Sequence, residues 1–164
     1  MKSLTTKILE SCRSHLDEIV AIRRDIHMYP ETGFDVHRTA DIVANQLKNL
    51  GLEVKTGIGQ TGVVADLEIS AATKRIGLRA DMDALPMQEL GDSAYKSRID
   101  GKAHMCGHDA HTAMLIGAAK IISQLKGQLK TNVRFIFQPS EEKFPGGASA
   151  MIKDGVLEAV DQIY

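Results

Sequence analysis

The sequence predicts an α/β domain in which a mixed, partly parallel sheet is layered against helices. Apolar residues recur at helical spacing in the long segments, and short β-branched or alternating runs separate them. The resulting order is helix, helix, strands, helix, strand, helix, strand, the pattern of a sheet covered by helices. At 164 residues the chain can bury one substantial core.

Leu9, Cys12, Leu16, Ile19, Val20 and Ile26 form the stripe of a first helix over residues 4–28, stopped by Pro30. Cys12 lies on that stripe and reads as a small core residue. A second helix fits 38–50, with Ile42, Val43, Leu47 and Leu50 inward and Gly51 as the stop. Strands are expected at 52–55, 62–69 and 75–80, the first two joined as a hairpin through a glycine-rich link. Residues 84–105 have no period and read as a long ordered loop, a kind of segment that is commonly functional. Leu115, Ala118, Ala119, Ile122 and Leu125 predict a helix over 109–125, and its inward face runs back to His111 and His108. A strand at 132–138, a short helix at 147–154 and a strand beginning at 160–164 complete the chain.

Composition is that of a globular protein, 43% hydrophobic and 25% charged, and the net charge of −1 offers nothing to nucleic acid or an anionic membrane. Charged residues close to the start leave no room for the apolar core of a signal peptide, and no stretch is long enough to span a bilayer. A cytoplasmic location follows as the expectation. The two cysteines, Cys12 and Cys106, make a poor disulfide framework.

Chemistry concentrates in His104-Met105-Cys106-Gly107-His108-Asp109-Ala110-His111 and in Gln138-Pro139-Ser140-Glu141-Glu142. Cys106 and His108 are two apart, so a turning backbone can aim both at one ion. Thiolate and imidazole suit zinc, manganese, cobalt or nickel, not calcium or magnesium. A helix N-terminus beside Cys106 is expected to favour its thiolate. A buried structural cysteine next to a polar helix cap would leave the same string. Glu141 and Glu142 are adjacent, and Pro139 with Phe144-Pro145-Gly146-Gly147 predicts a bend. After it, one carboxylate can bind metal while the other serves as general base; two solvated loop glutamates are the plainer alternative. Asp81 and Asp83 follow a buried-looking strand and can be ligands, turn caps or, in the favoured reading, partners that orient a histidine. Asp109 is a candidate helix N-cap. His111 is either a partner of the site or a packed core histidine. His27 reads as a helix-end residue, and His15 and His37 as surface positions. Asp81–Asp83, Cys106–His108 and Glu141–Glu142 all fall beyond strand ends, where α/β sheets gather their sites.

Four motifs in order carry a resemblance: Arg23-Arg24-Asp25-Ile26-His27 with Pro30-Glu31; Arg79-Ala80-Asp81-Met82-Asp83-Ala84-Leu85-Pro86; Cys106-Gly107-His108-Asp109-Ala110-His111; and Gln138-Pro139-Ser140-Glu141-Glu142. From about residue 19 onward the chain resembles the N-terminal part of N-acyl-amino-acid amidohydrolases, the hippurate and auxin-conjugate hydrolase branch of the di-metal aminoacylase and carboxypeptidase superfamily. The resemblance implies a catalytic domain like that of di-zinc peptidases, C-terminally incomplete over 1–164, without the lid and dimerisation domain or the C-terminal catalytic segment. It implies two divalent cations (Mn, Zn, Ni or Co), with Cys106, His108 and Glu142 as ligands and Glu141 as general base. Cys106 stands where relatives use a bridging aspartate, and Asp81 where they have a ligand histidine. Two further histidine ligands are expected outside the chain. The implied reaction is hydrolysis of a small N-acyl amino acid by an activated water, in a full-length protein expected to dimerise through the lid, with no nucleic acid or membrane partner. A metallo-dipeptidase or carboxypeptidase, and an incomplete piece that folds or assembles without turnover, remain as alternatives. A cysteine hydrolase using Cys106 is disfavoured, because the partner histidine of such enzymes arrives from elsewhere in the sequence.

Overall fold

The structure, a computed structural model, describes residues 3–164. Helix α1 (Leu4–Met28) is capped by Ser3, whose hydroxyl accepts from the Thr6 N–H. Helix α2 (His37–Asn49) leads into the hairpin of β1 (Glu53–Ile58) and β2 (Gly62–Leu67). Strand β3 (Arg75–Asp81), helix α3 (His108–Gln124), strand β4 (Asn132–Gln138), helix α4 (Gly147–Lys153) and strand β5 (Gln162–Ile163) follow, with a single 3-10 turn, Lys126–Gln128, after α3. The sheet order is β1-β2-β4-β3-β5. β1 and β2 pair antiparallel, as do β2 and β4, whereas β3 lies parallel to both β4 and β5. The mixed α/β sheet and the hairpin are as expected from the sequence. Residues 84–105 form the expected loop, pinned by a bridge between Leu85 and Ala103.

Alternation along the strands separates two cores. Val63, Ala65, Phe135 and Phe137 point with Leu47, Ile116 and Ala119 into the main core beneath α1, α2 and α3. Val64 and Ile136 point the other way, onto Met151 and Val156. β4 is the central strand, and all seven of its residues are buried. Its one charge, Arg134, is paired in register with Asp66 of β2 and makes two hydrogen bonds of 2.8 Å to that carboxylate. Gly147 lets α4 start hard against β4, because a Cβ there would collide with the Pro139 carbonyl.

The first half of α1 departs from expectation. Ile19, Ile22 and Ile26 pack on the core, but Leu9 and Leu16 are exposed, and so is Cys12. A helix of 25 residues is ~37 Å long, and its early turns lie against α3. Cys12 therefore lines an apolar groove with Ile8, Met114 and Ile121 instead of the core, and His15, expected at the surface, lines it too. His37 is exposed as expected.

Phe135 has no exposed surface at the centre of the sheet. Phe135→Ala is expected to cost about 3–5 kcal/mol of unfolding free energy, measured by urea denaturation. A loss under ~1 kcal/mol would show that β4 is not the centre of the core.

Candidate functional site

Two parallel strands bring the predicted residues together. β3 and β4 pair in register up to Asp81 opposite Gln138, and the Met82 N–H continues the ladder onto the Gln138 carbonyl. Both carboxyl ends therefore stop at one edge, and Asp81-Met82-Asp83 and Glu141-Glu142 emerge side by side. Helix α3 starts above them. Gly107, at φ +100°, turns the chain from Cys106 into the helix, a conformation that favours glycine. The Thr112 hydroxyl then donates to the Asp81 carbonyl at 2.7 Å and ties the first turns of α3 to the end of β3.

Asp83 organises the bend. Its side chain has no exposure, and its two carboxylate oxygens accept the backbone N–H groups of Glu141 (2.9 Å) and Glu142 (3.1 Å). Burial alone would raise its pKa, but hydrogen bonds from His108 and from those two amides hold it below the usual carboxylate value. His108 is fully enclosed. Its Nδ1 lies 2.8 Å from the Asp83 carbonyl oxygen, and its Nε2 lies 3.6, 3.8 and 3.7 Å from Asp81, Glu141 and Glu142 oxygens. Burial would lower its pKa, but Asp83 and Asp81 outweigh that and raise it.

Cys106 Sγ, a His108 nitrogen and a Glu142 carboxylate oxygen lie within 4.8 Å of one another, as do ligand atoms of Asp81, His108 and His111. Glu141, the next residue in the chain, belongs to neither group and is the more exposed of the two glutamates. The donor set fits a borderline or soft divalent cation: thiol, imidazole and carboxylate converge where negative groups outnumber positive ones. The Asp81 oxygens are already engaged, one by His111 Nδ1 at 2.7 Å and one by Arg79 at 2.8 Å. The Cys106 thiol departs from the expected thiolate. Its hydrogen bond to Glu142, then burial and the surrounding carboxylates, push its pKa up to about 11, so without a cation it stays protonated and is a poor nucleophile.

Other positions resolve differently from expectation. Asp109 is not the N-cap of α3; that place is taken by Gly107, with no side-chain cap. Asp109 is the second residue of α3, fully buried in its first turn, and accepts from Arg23 Nε and pairs with His27 Nδ1, both at 2.7 Å. His111 is half exposed and bonded to Asp81, so it is a partner of the site and not a packed core histidine. His27 does end α1, but its other nitrogen faces Glu89 at 3.4 Å, which fastens the long loop to the helix. Sequence reasoning quoted Arg23 and His104 within motifs without giving either a role, and it did not name Glu89. Arg23 and His27, one turn apart on α1, were the available signal for the first. His104 is buried beside His27, and both its ring nitrogens lack a partner among the described residues. Burial lowers its pKa to about 4.

The sequence pattern of Peptidase family M20/M25/M40 matches residues 77–164. A hippurate hydrolase of Campylobacter jejuni is 48% identical over 147 residues, 90% of this chain and 38% of that protein. An N-acyl-L-amino acid amidohydrolase of Geobacillus stearothermophilus is 42% identical, covering 89% of the chain and 40% of the relative. Thermostable carboxypeptidase 1 of Saccharolobus solfataricus is 43% identical, covering 98% and 42%. Among solved structures, a Bacillus subtilis protein described as a dinuclear metal binding peptidase of the M20 family superimposes with a TM-score of 0.87 at 38% identity, covering 92% of this chain and 42% of that one. The chain spans about two fifths of the length of the relatives it matches.

Asp83→Ala leaves the buried amides of Glu141 and Glu142 without their acceptor and removes the carboxylate beside His108, which keeps its bond to the residue 83 carbonyl. It is expected to cost about 2–4 kcal/mol in urea denaturation; a cost below ~1 kcal/mol would show that this carboxylate does not hold the bend.

Proposed function

The chain belongs to Peptidase family M20/M25/M40, and from that premise we propose that it carries the N-terminal part of the catalytic domain of an amidohydrolase acting on N-acyl amino acids of the hippurate type. The observation that carries the proposal is the division between neighbours: Glu142 converges with Cys106 and His108, while Glu141 stays outside that group yet within 3.8 Å of the same imidazole. This division supports reading Glu142 as a metal ligand and Glu141 as the carboxylate that moves protons.

In this reading Cys106, His108 and Glu142 hold metal, Asp83 and Asp81 orient the imidazoles and the glutamate bend, and further ligands come from a longer polypeptide that also supplies a lid and a dimer contact. Two divalent cations of the Mn, Zn, Ni or Co kind would supply Lewis acidity at the amide carbonyl and a more acidic water. Glu141 takes the proton of the attacking water on a carboxylate oxygen. It passes that proton to the amide nitrogen as the C–N bond breaks, releasing a carboxylic acid and an amino acid. His108 stays fixed throughout by its bond to the Asp83 carbonyl.

The names of the relatives support amide hydrolysis on the carboxyl side of an acyl group, and one of them also supports a carboxypeptidase. No helix among the described residues is long and apolar enough to cross a membrane. A cytoplasmic setting, which keeps Cys106 reduced, suits the proposal.

Cys106→Ser is expected to weaken zinc or manganese binding by more than the roughly 10–100-fold that follows loss of a partner to a ligand. Unchanged metal content would sink the ligand assignment. Glu141→Ala in the full-length protein is expected to keep its metal and lose about 10²–10⁴-fold in hippurate hydrolysis, and activity near that of the parent would remove Glu141 as the base. Inhibition by alkylation but not by a chelator would turn the reading toward a thiol enzyme. A metal-loaded parent that releases amino acids from peptides and not from hippurate would turn it toward a carboxypeptidase.

A further inference from the structure

We propose that Arg23 and His27 of α1 are positioning residues for the metal-binding turn and that, acting through Asp109, they fix the separation of Cys106 from His108. The inference rests on the reading of Cys106 and His108 as ligands and adds what holds them at that separation. Gly107 alone joins the two. It lies at φ +100°, and a Cβ there would meet nothing within 4 Å, so close packing on the turn does not hold it. Helix α3 also begins without a side-chain cap. The shape of the turn is therefore set by what grips the chain on either side of it.

On the helix side the grip is the buried carboxylate of Asp109, the residue after His108. Its Oδ2 accepts from Arg23 Nε and from His27 Nδ1, both at 2.7 Å, and its Oδ1 has no partner among the described residues. Both hydrogen bonds on this carboxylate thus come from α1. A buried carboxylate that loses such a partner must find another donor or move toward water, and Asp109 would carry the first turn of α3 with it. The Thr112 hydroxyl ties the helix to the Asp81 carbonyl three residues later, which leaves the first turn to Asp109.

On the other side, the same two residues hold the loop that delivers Cys106. His27 Nε2 lies 3.4 Å from Glu89, whose second oxygen accepts the Ser97 N–H at 2.7 Å. The Tyr95 ring stacks on Arg23, 4.9 Å from the guanidinium carbon to the ring centre, and meets the His27 ring edge-on at 5.4 Å. Leu85 and Ala103 exchange two backbone hydrogen bonds of 3.0 Å, which ties this stretch to the residues just before Cys106. Arg23 and His27, four apart on one face of α1, therefore each touch both the loop before the turn and the helix after it.

The test is a titration of the chain with cobalt(II), followed by the thiolate-to-cobalt charge-transfer band, with urea denaturation of the metal-free samples alongside. Arg23→Met and His27→Leu leave Cys106, His108 and Glu142 in place and are expected to weaken cobalt affinity about 10–100-fold. Arg23→Lys and His27→Asn return a donor toward Asp109 and are expected to recover most of that loss. Arg38→Ala is the control: it breaks the ion pair of α2 with Asp25 of α1 and is expected to lower stability while cobalt affinity stays the same. Arg23 keeps 29% of its side chain exposed, so its variant carries the test if His27→Leu does not fold. A loss in Arg38→Ala as large as that in Arg23→Met overturns the proposal, because stability alone would then explain it. A band that survives Cys106→Ser, or no band in the parent, sinks the ligand reading and the proposal with it. A band lost in Cys106→Ser but undiminished in Arg23→Met sinks the proposal alone.

Discussion

The parallel register of β3 on β4 is the constraint from which the site follows. Asp81 opposite Gln138 means that two segments almost sixty residues apart leave the sheet at the same level and in the same direction. The buried carboxylate of Asp83 can then reach the amides of Glu141 and Glu142, and the bend after β4 becomes part of the end of β3. Antiparallel pairing would send the two motifs to opposite edges. Packing supports the register: β4 is covered on both faces, so a slip by one residue would carry Phe135 and Phe137 out of the main core and bring Arg134 into it.

Electrostatics at that edge is lopsided. One enclosed imidazole, His108, faces carboxylate oxygens of Asp81, Asp83, Glu141 and Glu142 at 3.5–3.8 Å. Arg79 relieves one of them. A thiol whose pKa is pushed up to about 11 reports the same excess of negative charge. Such a cluster is costly unless a cation is bound or protons are shared, which is why the donor set reads as a metal site more readily than as a nucleophile with its base. Behind it, Arg23 of α1 pairs with Asp109 next to His108 and His27 hydrogen-bonds to the same carboxylate, so the start of α3 is fastened to the first helix as well as to the sheet.

Much of this was legible in residue order. Helices and strands followed from periodicity because each buries one face or one stripe, and periodicity records which. Cys106-x-His108 and Glu141-Glu142 were legible because ligands close in the chain are close in space once the backbone turns. Cys12 was misplaced because an apolar stripe says which face of a helix seeks cover but not whether the rest of the fold covers it. Asp109 was ambiguous because a carboxylate in a first turn can serve the helix or a distant partner, and Arg23 lies 86 residues earlier in the chain.

The sequence by itself determined the α/β class, the element order, the chemistry of the donors and, through matching motifs, the peptidase family. Those are properties of local pattern and residue type. Tertiary structure alone decided that Asp83 holds the glutamate bend, that Glu142 and not Glu141 joins Cys106 and His108, and that Phe34 and Phe144 share one cleft. Each of these depends on distances between segments far apart in the chain, and such distances are set by strand register and helix packing.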